Sequence, residues 1–320
     1  MIGVFDSGSG GLTILEQLMK QLPEEDFLYL GDHANAPYGH RSNRQIVELT
    51  RRGVHYLMRE GCSLVILACN TAAAVALRDL QQNWLPHHWP DRRVLGVLVP
   101  MVEAMTGVPW SQDHAASASL AQPASPDTLN PSGSAPKAPR RVLLLATRKT
   151  IESGAYQEET SKRAPHVTLL TKACPGLVDA LEGGAGARPI HGMIDGYIHE
   201  ALDSYGTPDA AVLGCTHFPL AEAEFRAALP ASVAVYNQAD IVARAARDYL
   251  MRRPEFSHTG TTSSSGTPGS FGSSGTTASS AAPERVRLHT TGDAPPSLLM
   301  ARLAPELQDR AFHTVTLTDG

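Results

Sequence analysis

Two cysteines occupy closely similar local contexts in the two halves of the chain. Cys69 follows an apolar run at residues 64–68 and precedes an Ala-rich helical pattern, and Cys215 follows an apolar run at 211–213. The N-terminus of a helix favours a thiolate over a thiol, so we expect both sulfurs to have a lowered pKa. Because the context is repeated, we interpret the two thiols as reactive groups rather than as buried packing residues.

Several uses of such thiols can be compared. A zinc site would need four ligands at spacings such as CxxC, but Cys62 and Cys69 are seven residues apart and Cys215 and His217 only two. A CxxC redox pair is absent. Cys215 with His217 could form the nucleophile and base of a hydrolase, which would leave Cys69 unused. Two equivalent acid/base groups suit racemisation, in which one removes a proton from carbon and the other returns a proton from the opposite face.

A glycine-rich turn, DSGSGG at residues 6–11, follows the first apolar run. Glycines at the start of a helix allow backbone N–H groups to face an anion. The segment matches neither the P-loop nor the GxGxxG pattern, so a small carboxylate is at least as good a ligand as a phosphate. A tight turn that simply requires glycine is the alternative, although Asp6 beside an anion-binding turn calls for a functional or capping role.

The elements that must position these turns alternate along the chain. Strands are predicted at 2–5, 27–30, 64–68, 94–97, 142–146, 167–170, 211–213 and 233–236. Helices are predicted near 11–21, 42–60, 71–83, 100–106, 149–163, 175–182, 190–204, 218–229 and 238–252. This alternation predicts βαβ units, hence an α/β fold with largely parallel sheets and a site beyond the carboxyl ends of the strands.

Composition excludes several other classes of protein. The 320 residues are 42% hydrophobic, 18% charged and 6% aromatic, which indicates a soluble globular chain of about two domains. A net charge of -5 argues against a broad nucleic-acid surface. No signal peptide and no run of about 18 apolar residues is present, and four scattered cysteines are too few for a disulfide scaffold. We therefore expect a cytoplasmic protein with free thiols.

Two low-complexity tracts interrupt this pattern, at about 109–140 and about 256–284. Ser, Gly, Pro, Ala and Thr dominate both. Such a composition buries too little apolar surface to offset the entropy of ordering, so we predict flexible insertions that carry no chemistry.

Taken in order, the motifs of the chain resemble those of the cofactor-independent glutamate racemases of the amino-acid racemase superfamily. The likeness runs from residue 2 to about residue 293. It rests on FDSGSGGL at 5–12, GD at 31–32, PYG at 37–39, ACNTA at 68–72, CP at 174–175, LEG at 181–183, GCTHFPL at 214–220 and TTGD at 290–293.

The resemblance implies two α/β domains with the active site in the cleft between them. The first domain would combine residues 1–98 with 219–320, and the second would span 99–218. Cys69 and Cys215 would then approach opposite faces of the substrate Cα from different domains. Neither a cofactor nor a metal is implied.

The resemblance also implies roles for individual residues. Asp6 would support Cys69, and His217 with Glu182 would support Cys215, so that these five residues form the catalytic set. Thr147 and Thr150 match a Thr-rich segment of the family near the substrate. The substrate-binding residues would be Asp6, Ser7, Tyr38, Gly39, Asn70, Thr71, Thr216 and His217.

The resulting hypothesis is the interconversion of L- and D-glutamate, supplying the D-isomer for peptidoglycan. The expected partner is glutamate, with no nucleic acid and no membrane, and a homodimer is an oligomeric state left open. Three alternatives stay open as well: a racemase for aspartate or hydantoins, a binding protein that does no chemistry, and a Cys/His hydrolase.

Overall fold

The computed structural model describes residues 1–108, 141–257 and 285–318. The tract predicted at 109–140 lies outside these ranges, as does the tract at 256–284 from residue 258 onward. The described strands are β1 Ile2–Asp6, β2 Phe27–Gly31, β3 Leu64–Leu67, β4 Arg93–Gly96, β5 Arg141–Ala146, β6 Thr168–Ala173, β7 Ala210–Gly214, β8 Ala234–Tyr236, β9 Val286–Thr290 and β10 Phe312–Thr314. The described α-helices are α1 Leu12–Gln21, α2 Asn43–Arg59, α3 Asn70–Asp79, α4 Leu85–His88, α5 Leu98–Thr106, α6 Arg148–Glu152, α7 Ala155–Arg163, α8 Leu177–Glu182, α9 Ala187–Tyr205, α10 Glu222–Ala228, α11 Gln238–Arg252 and α12 Ser297–Leu303.

The first sheet contains six parallel strands in the order β10-β9-β2-β1-β3-β4. Strands β1, β2 and β3 are buried over their whole length. Helices α1 and α11 pack against each other over this core, and α2 packs against α3 and β1. A parallel strand covered on both faces must be apolar throughout, which is why these strands read as unbroken hydrophobic runs.

The second sheet contains four parallel strands in the order β6-β5-β7-β8. Successive side chains of a strand point to opposite faces. Leu143 and Leu145 of β5 therefore pack into one apolar cluster and Val142 and Leu144 into another. The sheet has a hydrophobic core on each face, and the predicted α/β class with two parallel sheets is confirmed.

Each sheet reverses its strand order at one point. Strand β1 lies between β2 and β3, and β5 lies between β6 and β7, so the chain leaves in opposite directions from each central strand. Ligands of open α/β sheets bind outside the carboxyl ends of the strands at this point. Residues Ser7 and Cys69 lie there in the first sheet, and Thr147 and Cys215 lie there in the second.

Several predicted elements need correction. The helix predicted at 149–163 is two helices, α6 and α7, because Gly154 takes a left-handed conformation with φ of 69° between them. Strand β6 extends to Ala173 rather than ending at residue 170. Strands β9 and β10 and helix α12 were absent from the prediction.

Strand β8 lies in the second sheet, although the predicted domain boundary at residue 218 assigned it to the first domain. Strand β8 pairs with β7 in the second sheet, and Phe218 and Phe225 pack into the core of that sheet. Helix α11, by contrast, places Val242 and Ala246 in the core of the first sheet. The chain therefore returns to the first sheet near residue 237, because the segment before residue 237 buries its apolar side chains against the second sheet.

Two helical glycines should respond to alanine in opposite directions. A Cβ at Gly53 of α2 would lie 2.2 Å from Cε2 of Phe5 in β1, whereas a Cβ at Gly192 of α9 would meet no atom within 4 Å. We expect Gly53→Ala to lower the free energy of unfolding by about 1–3 kcal/mol through overpacking. Gly192→Ala should raise it by about 0.5–1 kcal/mol through helix propensity.

Denaturant unfolding followed by circular dichroism measures both effects, with Gly192→Ala as the matched control for Gly53→Ala. Stabilisation by both substitutions would contradict the close contact between α2 and β1.

Candidate active site

A cavity of about 310 Å³ lies at the carboxyl ends of both sheets. It is lined by residues that follow β1, β2 and β3 of the first sheet and β5, β6 and β7 of the second. Those predicted from the sequence are Ser7, Tyr38, Gly39, Cys69, Asn70, Thr71, Thr147, Glu182, Cys215, Thr216 and His217. Asp6 and Thr150 do not line the cavity but are fully buried behind it.

Cys69 caps the N-terminus of α3. Its Sγ accepts the backbone N–H of Ala72 at 3.4 Å and lies 3.3 Å from Oγ of Ser7. The side chain lines the cavity although only 5% of the residue is exposed. The strand-to-helix turn predicted from the sequence therefore places this sulfur where a helix N-terminus faces the cavity.

The electrostatics of Cys69 differ from the prediction of a lowered pKa. Burial, together with the neighbouring Asp6 carboxyl, raises the pKa of the thiol to about 12, against the hydrogen bonds from Ser7 and Ala72. The prediction was wrong because it counted the helix N-terminus, a local effect, without the cost of removing a thiolate from water.

Asp6 is the ionisable neighbour of Cys69 on the first sheet. Burial raises the pKa of its carboxyl, while the nearby His217 and the backbone N–H of Gly8, at 3.0 Å, oppose that rise. The other carboxyl oxygen, Oδ1, is buried without a hydrogen-bond partner among the described residues. A buried carboxyl with a raised pKa can hold a proton at higher pH than an exposed one.

Cys215 lies beside an acid–base pair formed by a buried His217 and a partly exposed Glu182. Nε2 of His217 is 2.7 Å from Oε1 of Glu182, and His217 also hydrogen-bonds with Cys215. Burial would lower the pKa of His217, but Cys215 and Glu182 together raise it well above the ordinary value. Burial likewise acts to raise the pKa of Glu182, yet His217 holds it below the usual range. Each partner thus stabilises the charged form of the other.

The glycine-rich turn joins the two halves of the site. The N–H of Gly8 bonds the Asp6 carboxyl and the N–H of Ser9 bonds that of Glu182. A Cβ at Gly10 would lie 2.3 Å from Oγ1 of Thr216, so only glycine permits this approach. These two carboxyl groups belong to the protein itself, and binding of a ligand carboxylate at this turn stays a prediction.

Residues that follow strands of the first sheet hold the Tyr38 side chain by hydrogen bonds. Its hydroxyl donates to Oδ2 of Asp32 at 2.7 Å, and burial raises the pKa of Tyr38 well above its ordinary value. Thr291 donates to the other oxygen of Asp32 at 2.6 Å. This network explains why the GD and TTGD motifs, which are about 260 residues apart, accompany the tyrosine.

Three threonines join the two sheets on the other side of the cavity. Oγ1 of Thr71 lies 3.1 Å from Oγ1 of Thr147 and 3.4 Å from Oγ1 of Thr150. Thr147 also caps α6 by accepting the N–H of Thr150 at 3.2 Å. Thr147 can therefore contact a ligand directly, whereas Thr150 acts through its neighbours.

Sequence reasoning missed part of the lining. Arg148, Cys174, His40 and Asp179 also line the cavity. Nε2 of His40 and Oδ2 of Asp179 are 3.6 Å apart, and both side chains are about half exposed or more. The available signal was their proximity in sequence to predicted site residues: His40 follows Gly39, and Asp179 precedes Glu182 by three positions. No spacing in the sequence distinguishes these two from ordinary surface residues.

The described parts of the chain lack two kinds of feature. Residues 1–108, 141–257 and 285–318 contain no group of three or more His, Cys, Asp or Glu side chains placed to hold a metal ion. No helix in those ranges has the length and apolar character needed to cross a membrane.

Comparison with known proteins agrees with this fold. No protein-family model matches the chain. Curated glutamate racemases do: that of Cereibacter sphaeroides (strain ATCC 17025 / ATH 2.4.3) is 43% identical over 270 residues, covering 84% of this chain and 91% of that protein. That of Paracoccus denitrificans (strain Pd 1222) is 42% identical over 270 residues, with the same coverage of both chains.

Solved structures give the same result for the fold. The glutamate racemase of Francisella tularensis in complex with D-glutamate superposes with a TM-score of 0.73 at 22% identity, covering 99% of this chain and 97% of that one. The Thermus thermophilus glutamate racemase gives a TM-score of 0.67 at 29% identity, covering 99% and 96%.

The fold together with these curated relatives shows that the chain is an amino-acid racemase, an isomerase. At more than 40% identity over most of its length, the chain belongs to the glutamate racemase family. The family membership inferred from the motifs is confirmed. The roles assigned to individual site residues stay predictions.

The charge of Asp6 is expected to control the reactivity of Cys69. Because Asp6 raises the pKa of the Cys69 thiol, Asp6→Asn should lower it while keeping an oxygen to accept the N–H of Gly8. We expect iodoacetamide to alkylate Cys69 roughly threefold faster or more at pH 9 in this variant, since the thiolate is the reacting species.

Peptide mass spectrometry of each cysteine measures these rates. Cys62, whose pKa burial raises to about 12 with no contribution from Asp6, is the internal control. An unchanged Cys69 rate in a folded variant would show that Asp6 does not set the protonation of this thiol.

Proposed function

We propose that this chain interconverts L- and D-glutamate by proton transfer between two thiols and the substrate Cα. One sulfur removes the Cα proton, and the thiol on the opposite face donates a proton to the resulting carbanion. The number of protons on the two sulfurs is unchanged by the reaction, but their positions are exchanged. The same pair therefore serves both enantiomers with reversed roles.

The observation that carries this proposal is the common cavity of Cys69 and Cys215. The two sulfurs come from different sheets, each beyond the carboxyl end of a strand, and each lines the cavity while remaining 95% buried. A volume of about 310 Å³ suits a small substrate. A hydrolase that used Cys215 and His217 alone would give Cys69 no task.

The neighbours of each sulfur supply its protons. With a pKa of about 12, Cys69 enters the reaction as a thiol and donor. To act as base for the other enantiomer it must first lose a proton, and the buried Asp6 carboxyl, whose own pKa is raised, is the adjacent acceptor. On the other side, His217 with a raised pKa carries the proton that Cys215 releases or takes up, and Glu182 holds that imidazole in place.

Carbanion formation places negative charge on the substrate α-carboxylate. Fixed hydrogen-bond donors at that position stabilise the charge most effectively in a site that excludes water. The hydroxyls of Ser7, Thr71 and Thr216 and the backbone N–H groups of the strand-to-helix turns are the donors around the cavity. Tyr38 and Gly39 also line the cavity.

We infer a cellular role from the product. D-glutamate is the isomer required for peptidoglycan, so the reaction would supply cell-wall synthesis from the cytoplasmic pool of L-glutamate. Curated relatives that carry the name glutamate racemase support the substrate assignment.

Isotope exchange tests the proposal directly. In deuterated water the wild-type chain should exchange the Cα proton of L- and D-glutamate and invert both, without added cofactor. We expect Cys69→Ser and Cys215→Ser each to reduce turnover by about 100-fold or more, because each removes one acid/base group. Proton NMR measures the exchange and circular dichroism the inversion.

Cys62→Ser is the matched control, since Cys62 is a buried thiol outside the cavity and should leave turnover unchanged. Aspartate is the control substrate. Loss of activity on replacing Cys215 but not Cys69 would favour the hydrolase. Absence of exchange with any amino acid, in folded protein with free thiols, would favour a binding protein.

A further inference from the structure

Asn70, the residue after Cys69, lines the cavity and has a side-chain amide that makes three hydrogen bonds. Its side chain is 3% exposed and lines the cavity. Nδ2 donates to Oε1 of Gln238 at 2.8 Å. Oδ1 accepts from Nε2 of Gln238 at 2.9 Å and from the hydroxyl of Tyr156 at 3.0 Å.

The two partners come from distant parts of the chain. Tyr156 lies on α7, which packs on the second sheet, and Gln238 begins α11, which packs on the first. Tyr156 is fully buried and Gln238 is 1% exposed. Neither residue lines the cavity, so neither can contact a substrate there.

The hydrogen-bonding capacity of Asn70 leaves one group free. A primary amide has two acceptor positions on its oxygen and two N–H groups. Gln238 and Tyr156 fill both acceptor positions, and Gln238 takes one N–H. The second N–H of Asn70 has no partner within the described residues, and the residue that carries it lines the substrate cavity.

Tyr156 determines which way the amide faces. If the amides of Asn70 and Gln238 were both flipped, their reciprocal bonds would survive, but Nδ2 would face the Tyr156 hydroxyl. The hydroxyl proton would then lack an acceptor among the described residues. A buried phenol needs such a partner, so the observed orientation is the one that satisfies all three side chains.

We propose that Tyr156 and Gln238 are positioning residues, which fix the Asn70 amide so that its free N–H donates to the substrate carboxylate. This inference rests on the proposed function, because it takes glutamate as the ligand. It adds two residues of the chain, 86 and 168 positions from Asn70, that act on substrate binding without contacting the substrate.

The alternative is that the three side chains only stabilise the packing between α3, α7 and α11. If Tyr156 and Gln238 position Asn70, their effect on substrate binding requires the Asn70 amide. If they only stabilise packing, their effect does not require that amide. The two can be separated by comparing the effect of Tyr156→Phe in the wild-type chain with its effect in Asn70→Ala.

The experiment measures kcat and KM for L-glutamate and the melting temperature. The variants are Tyr156→Phe, Gln238→Leu, Asn70→Ala, and each of the first two combined with Asn70→Ala. Tyr156→Phe keeps the ring and removes only the hydroxyl. We expect it to raise KM roughly fivefold in the wild-type chain, with a smaller change in kcat, and to change kcat/KM less than twofold in Asn70→Ala. Gln238→Leu should behave in the same way.

Tyr249→Phe is the matched control, because Tyr249 lies on α11 outside the cavity and should leave KM unchanged. Equal losses of kcat/KM in both backgrounds, or an unchanged KM in Tyr156→Phe, would overturn the positioning role. If Gln238→Leu fails to fold, the Tyr156→Phe cycle decides alone. A wild-type chain that is folded but inactive on glutamate would instead refute the proposed function, and this inference with it.

Discussion

A proton is most directly removed from one face of a tetrahedral carbon and returned to the other when an acid/base group stands on each side. In the proposed reaction this requirement fixes the architecture, because two groups that close on one small substrate cannot come from neighbouring positions of one strand. Each parallel sheet presents its strand ends along one edge. The chain therefore uses two sheets whose carboxyl ends meet at one cavity, and each contributes a single sulfur, Cys69 or Cys215.

Closing the two sheets around a cavity brings several ionisable groups into one buried region. Burying a carboxylate is costly unless it is paired or hydrogen-bonded. Backbone N–H groups of the glycine-rich turn stabilise the carboxyl groups of Asp6 and Glu182 by hydrogen bonds, and His217 pairs with Glu182. Glycine at position 10 allows the turn to approach Thr216 of the opposite half. The absence of a side chain at position 10 thus allows the turn to contact residues beside both thiols.

The strands that carry the site were predictable because each is a short apolar run between helical patterns. Strands β9 and β10 were not, since β9 follows a low-complexity tract and β10 contains three residues. The break between α6 and α7 depends on one glycine, and the pairing of β8 with β7 depends on where Phe218 and Phe225 are buried. Those outcomes are decided by packing partners that are distant in sequence.

The amino-acid sequence by itself determined the α/β class, the turns that hold Cys69, Cys215 and the glycine-rich segment, and the family to which the chain belongs. These features are local, because strand, turn and helix signals lie within a few residues of each motif. Only the tertiary structure decided the raised pKa of Cys69 and the contacts of Asn70 with Tyr156 and Gln238. Burial and hydrogen-bond partnership depend on which distant residues surround a group, and folding alone brings those residues together.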